Sequence, residues 1–324
     1  MRSTRRSLQA VVAVTVAVVA LAACSSKGGA QNSGDATGKS YTIAMVTHEA
    51  PGDTFWDKIR NGAERAAKDH DITLNYSNDP DAGNQATLIQ NAVSSKVDGL
   101  ATTMPNPAAI GPAAQKAVAA GIPTVAFNAG KDAYRTYGIG MYFGSDEDQA
   151  GQTVGTKLTQ QSPGGKTICV IQEQGQVQLE ARCGAVKKTD PSTEVLYVNG
   201  RDLPSVQQTI GAKLQQDPSI TSVVALGADI ALASQKAKAD SGSQAAVATF
   251  DLNADVAQQI QDGGISFSVD QQPYVQGYMA ITALWLNLTN GNDIGGGGPV
   301  LTGPSIVDQS NIGPIVAYTK NNTR

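Results

Sequence analysis

The 324-residue sequence predicts an α/β protein of two similar lobes, each a parallel sheet flanked by helices on both faces. Two observations predict it. From Thr42 onward, strand-like and helix-like runs alternate every 25–30 residues or roughly so, and repeated strand–helix units build parallel sheets covered on both sides. There are also too many such units for one five- or six-stranded sheet, in a chain that is long for a single core.

The first element is an export signal. Arg2, Arg5 and Arg6 form a basic start, Leu8–Ala20 is a run of small apolar residues, and Leu21-Ala22-Ala23-Cys24 closes it. The run is too short to span a bilayer, and no other stretch approaches ~18 apolar residues. Leu-Ala-Ala-Cys resembles the lipobox of bacterial lipoproteins, which makes Cys24 the lipidated residue and the new N-terminus. Ordinary secretory cleavage after Ala23 is the alternative, and Arg5-Arg6 also fits twin-arginine export. Residues 24–40 are rich in Gly, Ser, Asn and Lys without apolar pattern, so they read as a flexible tether. Without residues 1–23, 21 basic residues face 28 acidic ones, a net charge of −7. No Lys/Arg cluster remains, which argues against nucleic acid.

The folded part opens with Thr42-Ile43-Ala44-Met45-Val46, an apolar run without alternation that suits a strand buried on both faces. His48–Thr54 breaks it with turn-forming residues. Phe55, Ile59, Gly62, Ala63 and Ala66 then fall on one helical face. A loop at the carboxyl edge of such a strand is where open sheets bind ligands. Asp53 beside Phe55 and Trp56 therefore offers hydroxyl acceptors next to flat apolar faces; plain core aromatics and an N-cap are the alternative.

Further strands are expected at Ile72–Tyr76, Val97–Thr102, Pro123–Phe127, Thr167–Ile171, Glu194–Val198, Ser222–Leu226, Ala245–Phe250 and Ile265–Val269. Pro107 and Pro204 sit where first helical turns begin. The Gly138–Gly144 run, before a helix opened by Ser145-Asp146-Glu147-Asp148, is the expected first crossing between lobes. A second is expected near Val269–Pro273 and a third within Pro299–Ile315. The N-terminal lobe would then run over 41–144, completed by about 272–300, and the C-terminal lobe over 145–271, with 301–324 as crossing and tail. Cys169 lies on a strand and Cys183 near the start of the helix packing back on it, in an exported and oxidising setting. That placement predicts a disulfide, with two buried thiols as the alternative.

Enzyme signals are missing. The chain has only His48 and His70, no Gly-rich nucleotide loop after a strand, no P-loop and no His/Cys spacing for zinc. Neither Cys169 nor Cys183 has an obvious base beside it. Scattered carboxylates leave a glycosidase pair formally open without supporting one. The expectation is a protein that is no enzyme and needs no cofactor or metal.

Seven pieces in order resemble the ribose- and galactose-type solute-binding proteins of ABC importers, across nearly all of Tyr41–Val307. They are Thr54-Phe55-Trp56 with Asn61-Gly62-Ala63, Val97-Asp98-Gly99-Leu100, Gly121-Ile122-Pro123-Thr124-Val125, and Gly144-Ser145-Asp146. Leu179-Glu180-Ala181-Arg182, Phe250-Asp251, and Gln271-Gln272-Pro273 with Gly277 complete the set. The resemblance implies the type I periplasmic-binding-protein fold, two flavodoxin-like lobes joined by three strands, closing on a sugar. It implies a monomer, anchored here by lipid outside the cytoplasmic membrane, that serves an ABC permease. Bacterial sugar repressors share the fold but carry a DNA-binding helix pair in place of an export signal.

A sugar presents hydroxyls that donate and accept together with a patch of C–H. Planar charged groups meet the first and aromatic faces the second. The resemblance places such groups at Asp53, Phe55, Trp56 and Asn128 in the first lobe. In the second it places them at Arg182, Phe250 and Asp251, with Gln271 beside the hinge. A solvated Arg182, a core Phe250 and a hinge-only Gln271 are the bland alternatives. Two polar positions depart from the pentose-binding pattern: Asn128-Ala129 replaces Asp-Arg, and Ala228 replaces an asparagine before Asp229. His48, Glu49, Glu173 and Asp270 are candidates to make up the lost contacts. The expected ligand is a sugar, polyol or cyclitol other than ribose, with a nucleoside or furanone signal, or presentation to a sensor, as the alternative.

Overall fold

The computed structural model describes residues 40–324; the leader, Cys24 and the tether up to residue 39 lie outside the described residues. Strands β1 (Tyr41–Thr47), β2 (Ile72–Asn78), β3 (Gly99–Thr102), β4 (Thr124–Phe127) and β5 (Met141–Ser145) share a sheet with the late strand β11 (Val300–Gly303). Its order is β11-β5-β4-β3-β1-β2. The second sheet holds β6 (Lys166–Ile171), β7 (Glu194–Tyr197), β8 (Ile220–Ala225), β9 (Ala246–Phe250), β10 (Ile265–Asp270) and β12 (Ser305–Asp308). Its order, β12-β10-β9-β8-β6-β7, repeats the first. Every pairing is parallel except β12 against β10.

The two lobes are built by the same physics. Consecutive residues of each central strand enter opposite apolar layers, as a sheet covered on both faces requires. In the first lobe Ile43, Met45, Phe127 and Phe143 pack under α1 (Phe55–Asp69) and α9 (Pro273–Asn290). Ala44, Val46, Leu100 and Tyr142 pack under α2 (Ala82–Ser94) and α3 (Pro107–Ala119). In the second lobe Cys169, Ile171, Phe250 and Phe267 meet α4 (Glu147–Gln161) and α5 (Val177–Thr189). Ile168, Val170, Val223 and Val247 meet α6 (Leu203–Gln216) and α7 (Ala228–Ser241), and that layer extends to α8 (Ala254–Gln261). The short α10 (Val316–Lys320) rests on α8.

Local chemistry sets the helix ends. Asn106 accepts from Ala109 N–H ahead of Pro107, and Asp202 accepts from Ser205 N–H around Pro204. Gly62 and Gly277 let α1 and α9 touch backbone to backbone. A Cβ at Gly62 would stand 2.1 Å from the Tyr274 carbonyl oxygen, and one at Gly277 2.0 Å from that of Ile59.

The chain passes between sheets three times: at Asp146 from β5 into α4, at Gln271-Gln272 from β10 into α9, and at Gly303-Pro304 from β11 into β12. One sequence expectation needs correction here. The Gly138–Gly144 run is largely strand β5 of the first sheet, so the first crossing follows it. Pro299–Ile315 supplies a strand to each sheet, one parallel and one antiparallel. Both runs are too short, and too full of Gly, Pro and Ser, to show alternation. Cys169 on β6 and Cys183 on α5 form a disulfide with 5.7 Å between α-carbons, as their placement predicts.

Candidate ligand-binding cleft

A cavity of about 330 Å³ lies where the carboxyl ends of the strands of both sheets face each other. Loops after β1, β4, β6, β7, β8 and β9 all line it, together with Gln271 at the second crossing.

Two residues occupy equivalent places in the two lobes. Asn128 follows β4 and Asp251 follows β9, and both take left-handed backbone, with φ of 63° and 66°. Asn and Asp tolerate that conformation better than other side-chain-bearing residues. Each is pinned by its neighbouring strand. Asn128 N–H donates to Phe143 O and Tyr142 Oη donates to Asn128 O; Asp251 N–H donates to Val269 O and Ser268 Oγ donates to Asp251 O. The turn lifts both side chains off their sheets into the cleft. Gln271 ties them: its Nε2 donates to Asp251 Oδ1 at 2.9 Å, and Asn128 Nδ2 donates to Gln271 Oε1 at 3.3 Å.

On the first lobe, Trp56 lines the cavity while only 3% exposed, with the ring of His48 edge-on at 4.6 Å and that of Phe55 at 5.3 Å. Asp53 Oδ1 accepts from Phe55 N–H at 3.0 Å, so it starts α1 and borders the cavity at once. Burial pushes its carboxyl up to about 6, with Asp229 and Glu49 adding to the rise. His48 is buried and held neutral, its pKa lowered to about 3 by burial.

On the second lobe, Arg182 is 2% exposed and lines the cavity. Its Nη2 donates to Glu147 Oε1 at 3.0 Å and its Nε donates to Glu147 Oε2, a two-pronged pair. Its guanidinium carbon lies 4.7 Å above the Phe250 ring. Burial raises the Asp251 carboxyl to about 7, with Arg182 opposing, and raises Glu173 to about 7, with Asp53 across the cleft adding to it.

Of the residues expected from the sequence, Asp53, Phe55, Trp56, Asn128, Arg182, Asp251, Gln271, His48 and Glu173 line the cavity. Three do not. Phe250 is under the guanidinium of Arg182, in the apolar layer below the floor. Glu49 turns outward to accept from Arg60 and Tyr76, each at 2.7 Å. Asp270 accepts from Gln272 N–H and pairs with Arg324. The departures from the pentose-binding pattern that suggested Glu49 and Asp270 do not tell which way a side chain at or after a strand end turns.

The sequence reading passed over Lys58, Gln172, Gln176, Gln178, Arg201 and Asp229, all of which line the cavity. Lys58, 1% exposed, donates to Thr54 O at 3.3 Å; burial lowers its pKa, opposed by Asp251, Asp53 and Asp229. Its signal was present: a lysine three residues after Phe55 and four before Gly62 sits on the buried face of α1. Gln178 likewise precedes Arg182 by one turn on the same face of α5. Glu147, the partner of Arg182, comes from another helix, and no spacing announces that. Among the described residues no group of three or more His, Cys, Asp or Glu could hold a metal ion.

Two α/β lobes of like topology, three crossings and a polar cleft between the strand ends define a two-lobed solute-binding protein. The chain belongs to the periplasmic binding protein domain family, whose pattern residues 43–293 match. A solved carbohydrate transporter protein from Acidothermus cellulolyticus 11B, in complex with myo-inositol, is 53% identical and covers 88% of this chain and 100% of its own, with a TM-score of 0.86. The ribose import binding protein of Bacillus subtilis is 24% identical over 84% of this chain and 90% of its own. A xylose/arabinose-binding protein of Sulfolobus acidocaldarius is 26% identical over 71% of this chain, which spans 61% of that protein's length. The ribose and xylose/arabinose relatives are binding proteins, not enzymes. Periplasmic binding proteins work outside the cytoplasmic membrane, and among the described residues no helix is long and apolar enough to cross one.

Proposed function

We propose that this chain is a lipid-anchored binding protein that captures one polyhydroxylated ring, of the cyclitol type, between its lobes and delivers it to an ABC permease. The observation that carries the reading is the imbalance of hydrogen-bonding groups around the cavity. Asp53, Glu173, Asp229 and Asp251 line it, and the amide oxygens of Gln172 and Gln178 are buried there without partners. Lys58, Arg182, Arg201 and Asn128 supply the donors, and part of that supply is already used: Glu147 holds Nε and Nη2 of Arg182, Lys58 donates to Thr54 O, and Asn128 Nδ2 reaches Gln271 and Gln276. A ring in which every oxygen is a hydroxyl can donate from each of them. A cyclic aldose has a ring oxygen that only accepts.

Other features agree. The volume is at the lower end of the ~300–1,000 Å³ typical of small-molecule sites, which suits one ring. Phe55 and Trp56 offer an apolar face on one side only, because Phe250 lies below the floor; a base sandwiched between two rings is therefore disfavoured. The 53% identical relative holds myo-inositol. Asp53, Phe55, Trp56 and Asn128 contact the ligand from one lobe and Arg182 and Asp251 from the other, with Gln271 at the hinge. A ligand that touches both lobes shifts the hinge toward closure. Cys24 carries the lipid, and the protein acts as a monomer.

Thermal melting of the full chain with myo-inositol, D-galactose, D-ribose and uridine tests the ligand class. A ligand at 100 times its dissociation constant adds about 2.7 kcal/mol of stability. The largest shift is expected with myo-inositol. A shift with uridine alone, or with none of the four, overturns the reading.

A further inference from the structure

Gln178 stands in the first turn of α5, 6% exposed, and lines the cavity. Its Nε2 donates to Gln176 Oε1 at 2.6 Å and lies 3.3 Å from Nε2 of His48, a residue of the other lobe. Its Oε1 is buried and has no partner. We propose that Gln178 is a ligand-binding residue that couples capture to closure, its amide nitrogen holding the first lobe while its amide oxygen accepts a hydroxyl from the ligand. The proposal rests on the polyol reading of the cleft and names one contact within it.

The proton count supports this assignment. A neutral imidazole carries one N–H. With Gln178 Nε2 as donor, His48 Nε2 must accept, so the proton sits on Nδ1 and is donated to Thr103 Oγ1 at 2.7 Å. Thr103 is fixed in turn by Gln85 Nε2, which donates to its carbonyl at 2.9 Å and its hydroxyl at 3.1 Å. The burial that keeps His48 neutral keeps its Nε2 an acceptor. A chain of hydrogen bonds thus runs from α2 through the loops after β3 and β1 into α5. One residue before Gln178, Val177 N–H donates across the cleft to Pro105 O at 3.0 Å. That bond holds the start of α5 against the first lobe.

The amide is thereby oriented with its nitrogen committed and its oxygen left over. A buried acceptor without a donor is unfavourable, and a ligand hydroxyl removes the deficit. Closing the lobes sets the angle of the amide, and filling its oxygen holds it at that angle. Capture and closure share one side chain.

Two measurements on the full-length protein test this. The first is calorimetric titration of myo-inositol into wild type, Gln178→Met and Gln178→Glu, beside ligand-free melting. Gln178→Met is expected to weaken binding tenfold or more with melting nearly unchanged. Gln178→Glu keeps an acceptor for the ligand, loses the donor to His48, and is expected to fall between. Wild-type affinity in Gln178→Met, or a loss matched by a large fall in melting temperature, overturns the proposal. The second measurement needs no ligand. With 5-fluorotryptophan in place of both tryptophans, the fluorine resonance of Trp56, next to His48, reports closure, and Trp285, stacked on His70 at 4.2 Å, is the internal reference. Gln178→Met is expected to move the Trp56 resonance and leave that of Trp285 in place. Should wild type ignore myo-inositol, the polyol reading fails by itself, and an unmoved Trp56 resonance separately refutes the coupling.

Discussion

Glu147→Gln is the substitution whose cost follows most directly from the structure. Glu147 and Arg182 are 6% and 2% exposed, and two hydrogen bonds join them. Gln keeps the shape of the side chain and one acceptor, but it leaves the guanidinium buried without its counter-charge. Removing one partner of a buried ion pair typically costs about 3–5 kcal/mol, whereas replacing both by apolar residues is often near neutral. The variant is therefore expected to lose about 3–5 kcal/mol in urea unfolding. The double variant Glu147→Met with Arg182→Met is expected to recover most of that loss. The two substitutions also separate fold from function. Glu147→Gln alone frees the Arg182 fork to leave the Phe250 ring, so ligand affinity is expected to fall as well. The double variant folds but lacks the donor, and it is expected to bind myo-inositol at least tenfold more weakly. A loss below about 1 kcal/mol for Glu147→Gln would refute the reasoning, because the pair would then be no more than a surface contact.

Three further outcomes are expected. Burial raises Asp251 and Glu173 to about 7 and Asp53 to about 6, above their ordinary values near 4. Their protonated forms stabilise the ligand-free fold fully below about pH 4, and that contribution is lost as pH rises through about 6–7. Between pH 5 and pH 8 the loss of this contribution lowers the ligand-free melting temperature, while binding, which uses ionised acceptors, tightens; a larger myo-inositol shift at pH 5 than at pH 8 would contradict this. Replacing Cys169 and Cys183 together by Ala is expected to cost about 3 kcal/mol by the loop-entropy relation for ~15 residues, read in urea unfolding, and an unchanged midpoint would show that the bridge adds nothing. Cys24→Ser is expected to release the protein from the membrane fraction of an expressing bacterium, and retention of the processed chain there would argue against the lipid anchor.

Much of the fold was legible because its signals are local. Unalternating apolar runs such as Thr42–Val46 mark strands buried on both faces, and Pro107 and Pro204 mark helix starts. The strands that escaped notice, Met141–Ser145, Val300–Gly303 and Ser305–Asp308, are four or five residues long and lie at the crossings. Their pairing is set by partners far along the chain. The resemblance, rather than local pattern, pointed to Asn128 and Asp251, which stand directly after strands and line the cavity. Side-chain direction was not. Glu49 is drawn away from the cavity by Arg60 and Tyr76, Asp270 is buried against Arg324, and Phe250 is covered by Arg182, all through contacts no spacing encodes. Lys58 was hidden for the opposite reason: a lysine on an apolar helical face reads as an error of pattern until the carboxylates opposite it are known.

The proposed function requires one polyhydroxylated ring held between the lobes by groups from both. A crystal structure of the protein grown with myo-inositol tests it most directly. Density is expected for one ring with its C–H face on Trp56 or Phe55. Its hydroxyls would lie within hydrogen-bond distance of Asp53 on one lobe and of Arg182 and Asp251 on the other. A ring touching a single lobe, or an empty cleft at saturating myo-inositol, would contradict it.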